Sequence, residues 1–199
     1  VLYHFLWRRR PAQAAAALLV WAYALGACMT LWTVLMPERA ETAIWNAEGY
    51  RDEMFAWLRT GEGAEGDARR FLPQHAAHFA AFAAVCIPSA GAAGLLLGVC
   101  LLDYMAFYVG SLCLASGSPW LAALLGWHPW ALLRVAGFIL WGVALSSVAL
   151  ERMRAGSWRW RQHRRFLDWG SLLLVLDVLL KALLAGTWRE MILRHLGWP

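Results

Sequence analysis

The sequence predicts an all-α fold: a polytopic membrane helix bundle of about five transmembrane helices plus one extracytoplasmic amphipathic helix. All of it forms a single membrane domain over residues 1–199. Three observations predict this. The chain is 61% hydrophobic and 16% charged, where soluble domains run roughly 45–50% and 25%. Its mean hydropathy of +0.48 marks more apolar surface than a soluble domain of this length can hide. Several apolar runs reach the length of about 20 residues that crosses a bilayer. Arginines gather beside those runs, where anionic headgroups lie. Lys181 is the single lysine among 18 basic residues. The net charge of +5 therefore reads as affinity for anionic lipid, not for nucleic acid.

The first span covers residues 12–36, behind Arg8, Arg9 and Arg10. Leu25-Gly26-Ala27-Cys28 has the look of a lipoprotein cleavage box, but the apolar run is longer than a signal peptide needs, so an uncleaved anchor is expected. Residues 37–70 follow, with eight acidic residues against five arginines. Within them Ile44, Trp45, Tyr50, Met54, Phe55, Trp57 and Leu58 recur at near-helical spacing. That pattern predicts an amphipathic helix on the membrane or on the bundle, ended by Gly61 and Gly63.

Residues 76–127 hold a long apolar stretch interrupted by Asp103. Two spans are expected there, 76–100 and 103–124, joined by a very tight cytoplasmic turn; a re-entrant hairpin is the alternative. Residues 130–150 form span 4, carrying Arg134. A basic cytoplasmic loop, 151–168, brings Arg152, Arg154, Arg159, Arg161, Arg164 and Arg165 to lipid headgroups. The last span, 169–188, contains Asp177 and Lys181. Arginine placement sets the count: with Arg8–Arg10 and the basic loop both cytoplasmic, an even number of crossings separates them. The N-terminus is then cytoplasmic and the C-terminus extracytoplasmic, in what reads as a bacterial inner membrane.

Four positions carry intramembrane polarity: Asp177, Lys181, Arg134 and Asp103. Asp177 and Lys181, spaced i, i+4, are expected to neutralise each other on one helix face, or to line a transport path. Arg134 is expected to snorkel outward or to pair with an acid from another helix, snorkelling being the cheaper of the two. Gly91, Gly94 and Gly98 form an extended GxxxG for helix packing. Trp45, Phe55, Trp57, Trp120, Trp127 and Trp130 are expected at partner or membrane-surface contacts, and Trp158, Trp160 and Trp169 at the inner interface. Cys28, Cys86, Cys100 and Cys113 lie in apolar runs without metal-like spacing, so free thiols are expected. His75, His78 and His128 lie at span ends, where the expected role is interfacial rather than haem or metal ligation. The sequence carries no hydrolase triad, HExxH or Walker loop. No catalytic, cofactor-binding or metal set is assigned.

The layout resembles the stage II sporulation protein M family. A first span and an extracytoplasmic segment precede a span opening with Phe71-Leu72-Pro73-Gln74-His75. A glycine-rich span follows, then a span opened by His128-Pro129-Trp130, and a last span after a basic loop. The family's second motif carries a Glu that this chain lacks. The resemblance implies a non-catalytic subunit or scaffold of an envelope complex with other membrane subunits. The alternatives are a transporter or permease subunit using Asp177 and Lys181, and third a small membrane enzyme or b-type cytochrome.

Overall fold

The computed structural model describes residues 2–196, which are helical apart from short connections. Helix α1 (Leu2–Trp7) leads to α2 (Pro11–Leu35), α3 (Pro37–Ala43), α4 (Ala47–Thr60) and α5 (Ala68–Cys86). Then come α6 (Ala92–Ala115), α7 (Pro119–Gly126), α8 (Pro129–Ala155), a 3₁₀ turn (Trp160–His163) and α9 (Arg164–Leu196). Prolines open α2, α3, α7 and α8 at the first helical position, where a missing N–H costs nothing. Gly61, at φ 78°, closes α4 by donating its N–H to the Trp57 carbonyl. The Asp67 carboxylate accepts from the Arg69 N–H and opens α5.

Among the described residues four helices are long and apolar enough to cross a membrane: α2, α6, α8 and the run through α9. Helix α5 carries Arg69, Arg70, Gln74, His75 and His78 in its first half and is less apolar. The expected boundary between 76–100 and 103–124 is corrected. The turn falls at residues 87–91, and Asp103 lies within α6, half-buried, with its Oδ1 unpartnered among the described residues. The turn needs Ala90 at φ 49° and Gly91 at φ 99°. A Cβ on Gly91 would overlap Ser146 Oγ. Residues 119–126 form the separate short helix α7 rather than the end of a span, cut off by the Ser116–Ser118 break.

Two apolar clusters define the ends of the bundle. At the arginine-rich end Leu2, Leu6, Ala14, Ala90, Val143 and Leu150 pack together. The Tyr3 hydroxyl donates to the Ser89 carbonyl, tying the N-terminus to the α5–α6 turn. At the acidic end α4 lies on the bundle: Met54, Trp57 and Leu58 bury against Leu112, Ala122, Trp130 and Ile192. Helix α5 connects the acidic end to the turn at the other end; its 19 residues span about 28 Å at 1.5 Å per residue.

Close crossings use small residues, as expected where lipid offers helices no hydrophobic drive to associate. Gly137 and Gly170 bring α8 and α9 backbones together, and Gly110 of α6 sits against Thr33 of α2. Of the predicted glycine motif, Gly94 meets Cys86 of α5, whereas Gly98 faces open space.

Candidate functional site

Helix α9 presents Asp177 and Lys181 on one face, and both are buried. Facing them are α8, α5 and the connection between α4 and α5. Arg134 of α8 donates through Nε and Nη2 to the two oxygens of Asp177, each at 2.9 Å. This bidentate geometry matches a planar guanidinium to a carboxylate. Lys181 Nζ donates to Glu65 Oε1 at 2.7 Å and stands 4.6 Å over the Phe71 ring. His75 Nε2 is 3.8 Å from Asp177 Oδ2, and neither of its ring nitrogens has a hydrogen-bond partner among the described residues.

Two expectations are thereby corrected. Asp177 and Lys181 do not form an ion pair with each other, because each finds a better-aligned partner on another element. Arg134 does not take the cheaper snorkelling course; it takes the other one expected of it and turns inward to an acid on another helix, Asp177. Cross-helix pairing satisfies both oxygens of Asp177, which an i, i+4 ammonium cannot do in that geometry.

These charges close one end of a cleft of about 940 Å³ bounded by α2, α4, α5, α6, α8 and α9. Its polar lining, Glu65, His75, His78, Arg134 and Asp177 together with Tyr50 and Glu53 of α4, gathers toward the acidic end. The rest, including Leu25, Phe79, Phe82, Leu102 and Phe138, is apolar down to Gly91 and Ser146 near the arginine-rich end. Gly98 contributes bare wall. From Arg134 to Ser146 along α8 the cleft runs about 18 Å at 1.5 Å per residue.

Behind this site His128 sits in an aromatic cage of Trp57, Tyr108, Trp130 and Trp188, with centroids 4.7–6.5 Å away. Burial pushes its pKa down to about 4, with Glu65 pulling the other way. Burial opposes ionisation of Glu65, yet Lys181 first and then His128 and Arg134 outweigh it, holding the carboxyl below its ordinary value. Arg189 donates to the carbonyls of Trp57, Leu58 and Arg59, fixing the α4 C-terminus over α9.

The aromatic expectations divide. Trp57 and Trp130 are 1% exposed and belong to the core, a correction to their expected surface role; dense aromatic and aliphatic neighbours cover them. Phe55 and Trp127 pack partly buried against the same core. Trp45 and Trp120 are 88% and 89% exposed. Trp158, Trp160, Trp169 and all six loop arginines are exposed. The four cysteines are free. Glu65 and Arg189 belong to this network through their contacts, and sequence patterning did not single them out. No family model, curated protein or solved structure matches this chain.

Proposed function

We propose that the chain is a membrane carrier that takes one amphipathic molecule into the cleft, headgroup at the charged end and apolar body along α5, α6 and α8. The observation that carries this reading is the segregation of polarity within one cavity: charges at one end, apolar wall along the remainder. A self-contained structural ion pair would need no cavity beside it, and ligand sites are concave, largely apolar and marked by a few placed polar groups. In this reading α5 is a fifth crossing, since it runs between the same two ends as its neighbour α6. The clustering of arginines at one end supports an orientation with the N-terminus cytoplasmic and the C-terminus outside, in a bacterial inner membrane as the proposed setting. Filling the cleft tests it. Gly98 has no neighbouring atom within 4 Å of an added Cβ, so Gly98→Phe should fold normally and lose binding of a fluorescent long-chain amphiphile. Undiminished binding would defeat the proposal.

A second reading, a non-catalytic subunit of an envelope complex, is favoured by Trp45 and Trp120, which present large exposed rings at the acidic end. Copurification of the Trp45→Ser, Trp120→Ser double variant tests it. A docking role expects loss of any partner held at fixed ratio by the parent protein, with membrane insertion retained.

A further inference from the structure

We infer that Glu65 stands in for the anionic headgroup of the cleft's ligand, so that the site selects monoanionic amphiphiles, which displace Glu65 from Lys181. The inference rests on the carrier reading and deepens it.

Three observations support it. Lys181 is the single lysine of the sequence, is 1% exposed, and its ion-pair partner is Glu65. Glu65 lines the cleft and Lys181 does not, so the carboxylate stands between the ammonium and the cavity. Glu65 is also the member of the charge cluster that no helix holds. It lies in the connection 61–67, among Gly61, Gly63 and Gly66, and its Oε2 has no hydrogen-bond partner among the described residues. Its side chain retains 14% exposure, a route toward water that Asp177, at 1%, lacks.

Charge balance sets the ligand's valence. Two cations, Arg134 and Lys181, face two carboxylates, Asp177 and Glu65, while Glu53, the other carboxylate of the lining, is exposed to its surroundings. Both oxygens of Asp177 are held by Arg134, so that pair is saturated and stays. Departure of Glu65 uncovers a single positive charge. A monoanionic headgroup restores neutrality in a low-dielectric site, while a dianion or a cation leaves an unpaired charge there. The exchange is non-covalent: one carboxylate–ammonium contact opens and an equivalent one forms. Phe71 under Lys181 remains in place as the floor of the headgroup site. The apolar wall beyond it accommodates a long acyl chain.

The consequence has an unusual sign: removing a carboxylate from the site tightens binding of an anion. The test uses the full chain in neutral detergent at pH 7.5, with a fluorescent hexadecanoate and the matching hexadecanol as probes. Glu65→Gln should bind the carboxylate at least fivefold more tightly than the parent and the alcohol equally well. Lys181→Met with Glu65→Gln should bind both probes alike. Thermal unfolding gives a second readout: because Lys181 is unpaired in Glu65→Gln, hexadecanoate should raise the Tm of that variant more than of the parent, and hexadecanol should not. Unchanged or weakened carboxylate binding by Glu65→Gln, or equal thermal shifts from the two probes, would overturn the headgroup assignment while leaving the carrier reading intact. If neither probe binds the parent or the variants, both readings fall.

Discussion

The two ends of the bundle treat charge in opposite ways. At the acidic end four cations have fixed partners. Arg134 grips Asp177, Lys181 meets Glu65, Arg189 collects three carbonyls, and Arg51 reaches Glu41, Glu48 and Asp52. At the other end, arginines lie open on the surface. Arg9, Arg10 and Arg165 border a shallow groove of about 610 Å³ beside Phe166 and Trp169. Arg154 rests on the Trp7 ring, and Arg164 meets Asp168, both exposed. The difference follows from desolvation. A charge removed from water must have a partner within reach, whereas a charge at headgroup depth keeps water and lipid phosphate as partners. The fixed pairs are therefore the places where a substitution should cost stability, and the open arginines are not.

The contrast can be broken most forcefully at Asp177. Asp177→Leu strands Arg134 and should cost about 3–5 kcal/mol, the usual penalty for orphaning one member of a buried pair. Arg134→Leu in the same chain should recover most of it. Thermal unfolding of single and double variants reads the coupling, and additive losses would show that the pair is not one unit. Of similar size is Trp57→Ala, which empties a fully covered indole site and should cost about 3–5 kcal/mol. Trp120→Ala, on a ring that is open to its surroundings, should stay within about 0.5 kcal/mol.

A smaller effect is expected with pH at the acidic end. Glu65 is held below its ordinary value, so its contribution is present above the unfolded carboxyl pKa and lost as pH falls. His128 is held at about 4, so its contribution is complete above the unfolded value of about 6.5 and disappears as pH falls toward 4. Both groups make the protein acid-sensitive, and neither adds a change between pH 7 and 9. Tryptophan fluorescence melts from pH 7 down to 4 should show a falling Tm, reduced in slope by His128→Phe; a flat profile would contradict the placement of these groups. The smallest effect belongs to the open arginines. Arg161→Gln with Arg165→Gln should leave Tm within the range set by about 0.5 kcal/mol, while a reporter fused after residue 165 should show weakened cytoplasmic retention.

How much of this was legible in the sequence depends on whether the signal is local. Apolar runs, helix-opening prolines and the Gly61 stop act within a turn or two, and the helices over Pro11–Leu35 and Pro129–Ala155 follow from them. The turn at 87–91 carries local signals, Pro88, Ser89 and Gly91, but Asp103, the one charge in the run, drew the expected break toward itself. Asp177 and Lys181 were recognisable as costly in lipid, but helical spacing reports which residues share a face and not what that face meets. Their true partners lie 43 and 116 positions away. Glu65 was one acid among eight in residues 37–70, and nothing local distinguishes the one that turns inward.

The central claim is that the cleft, and not the outer surface of the bundle, holds the amphiphile. A photoactivatable hexadecanoate, crosslinked in proteoliposomes and mapped by peptide mass spectrometry, tests this most directly. The account predicts adducts at Phe79, Gly98 and Phe138, which line the cleft, abolished by excess unlabelled hexadecanoate and by Gly98→Phe. Adducts confined to lipid-facing positions such as Val20 and Leu183, indifferent to competitor and to Gly98→Phe, would contradict it.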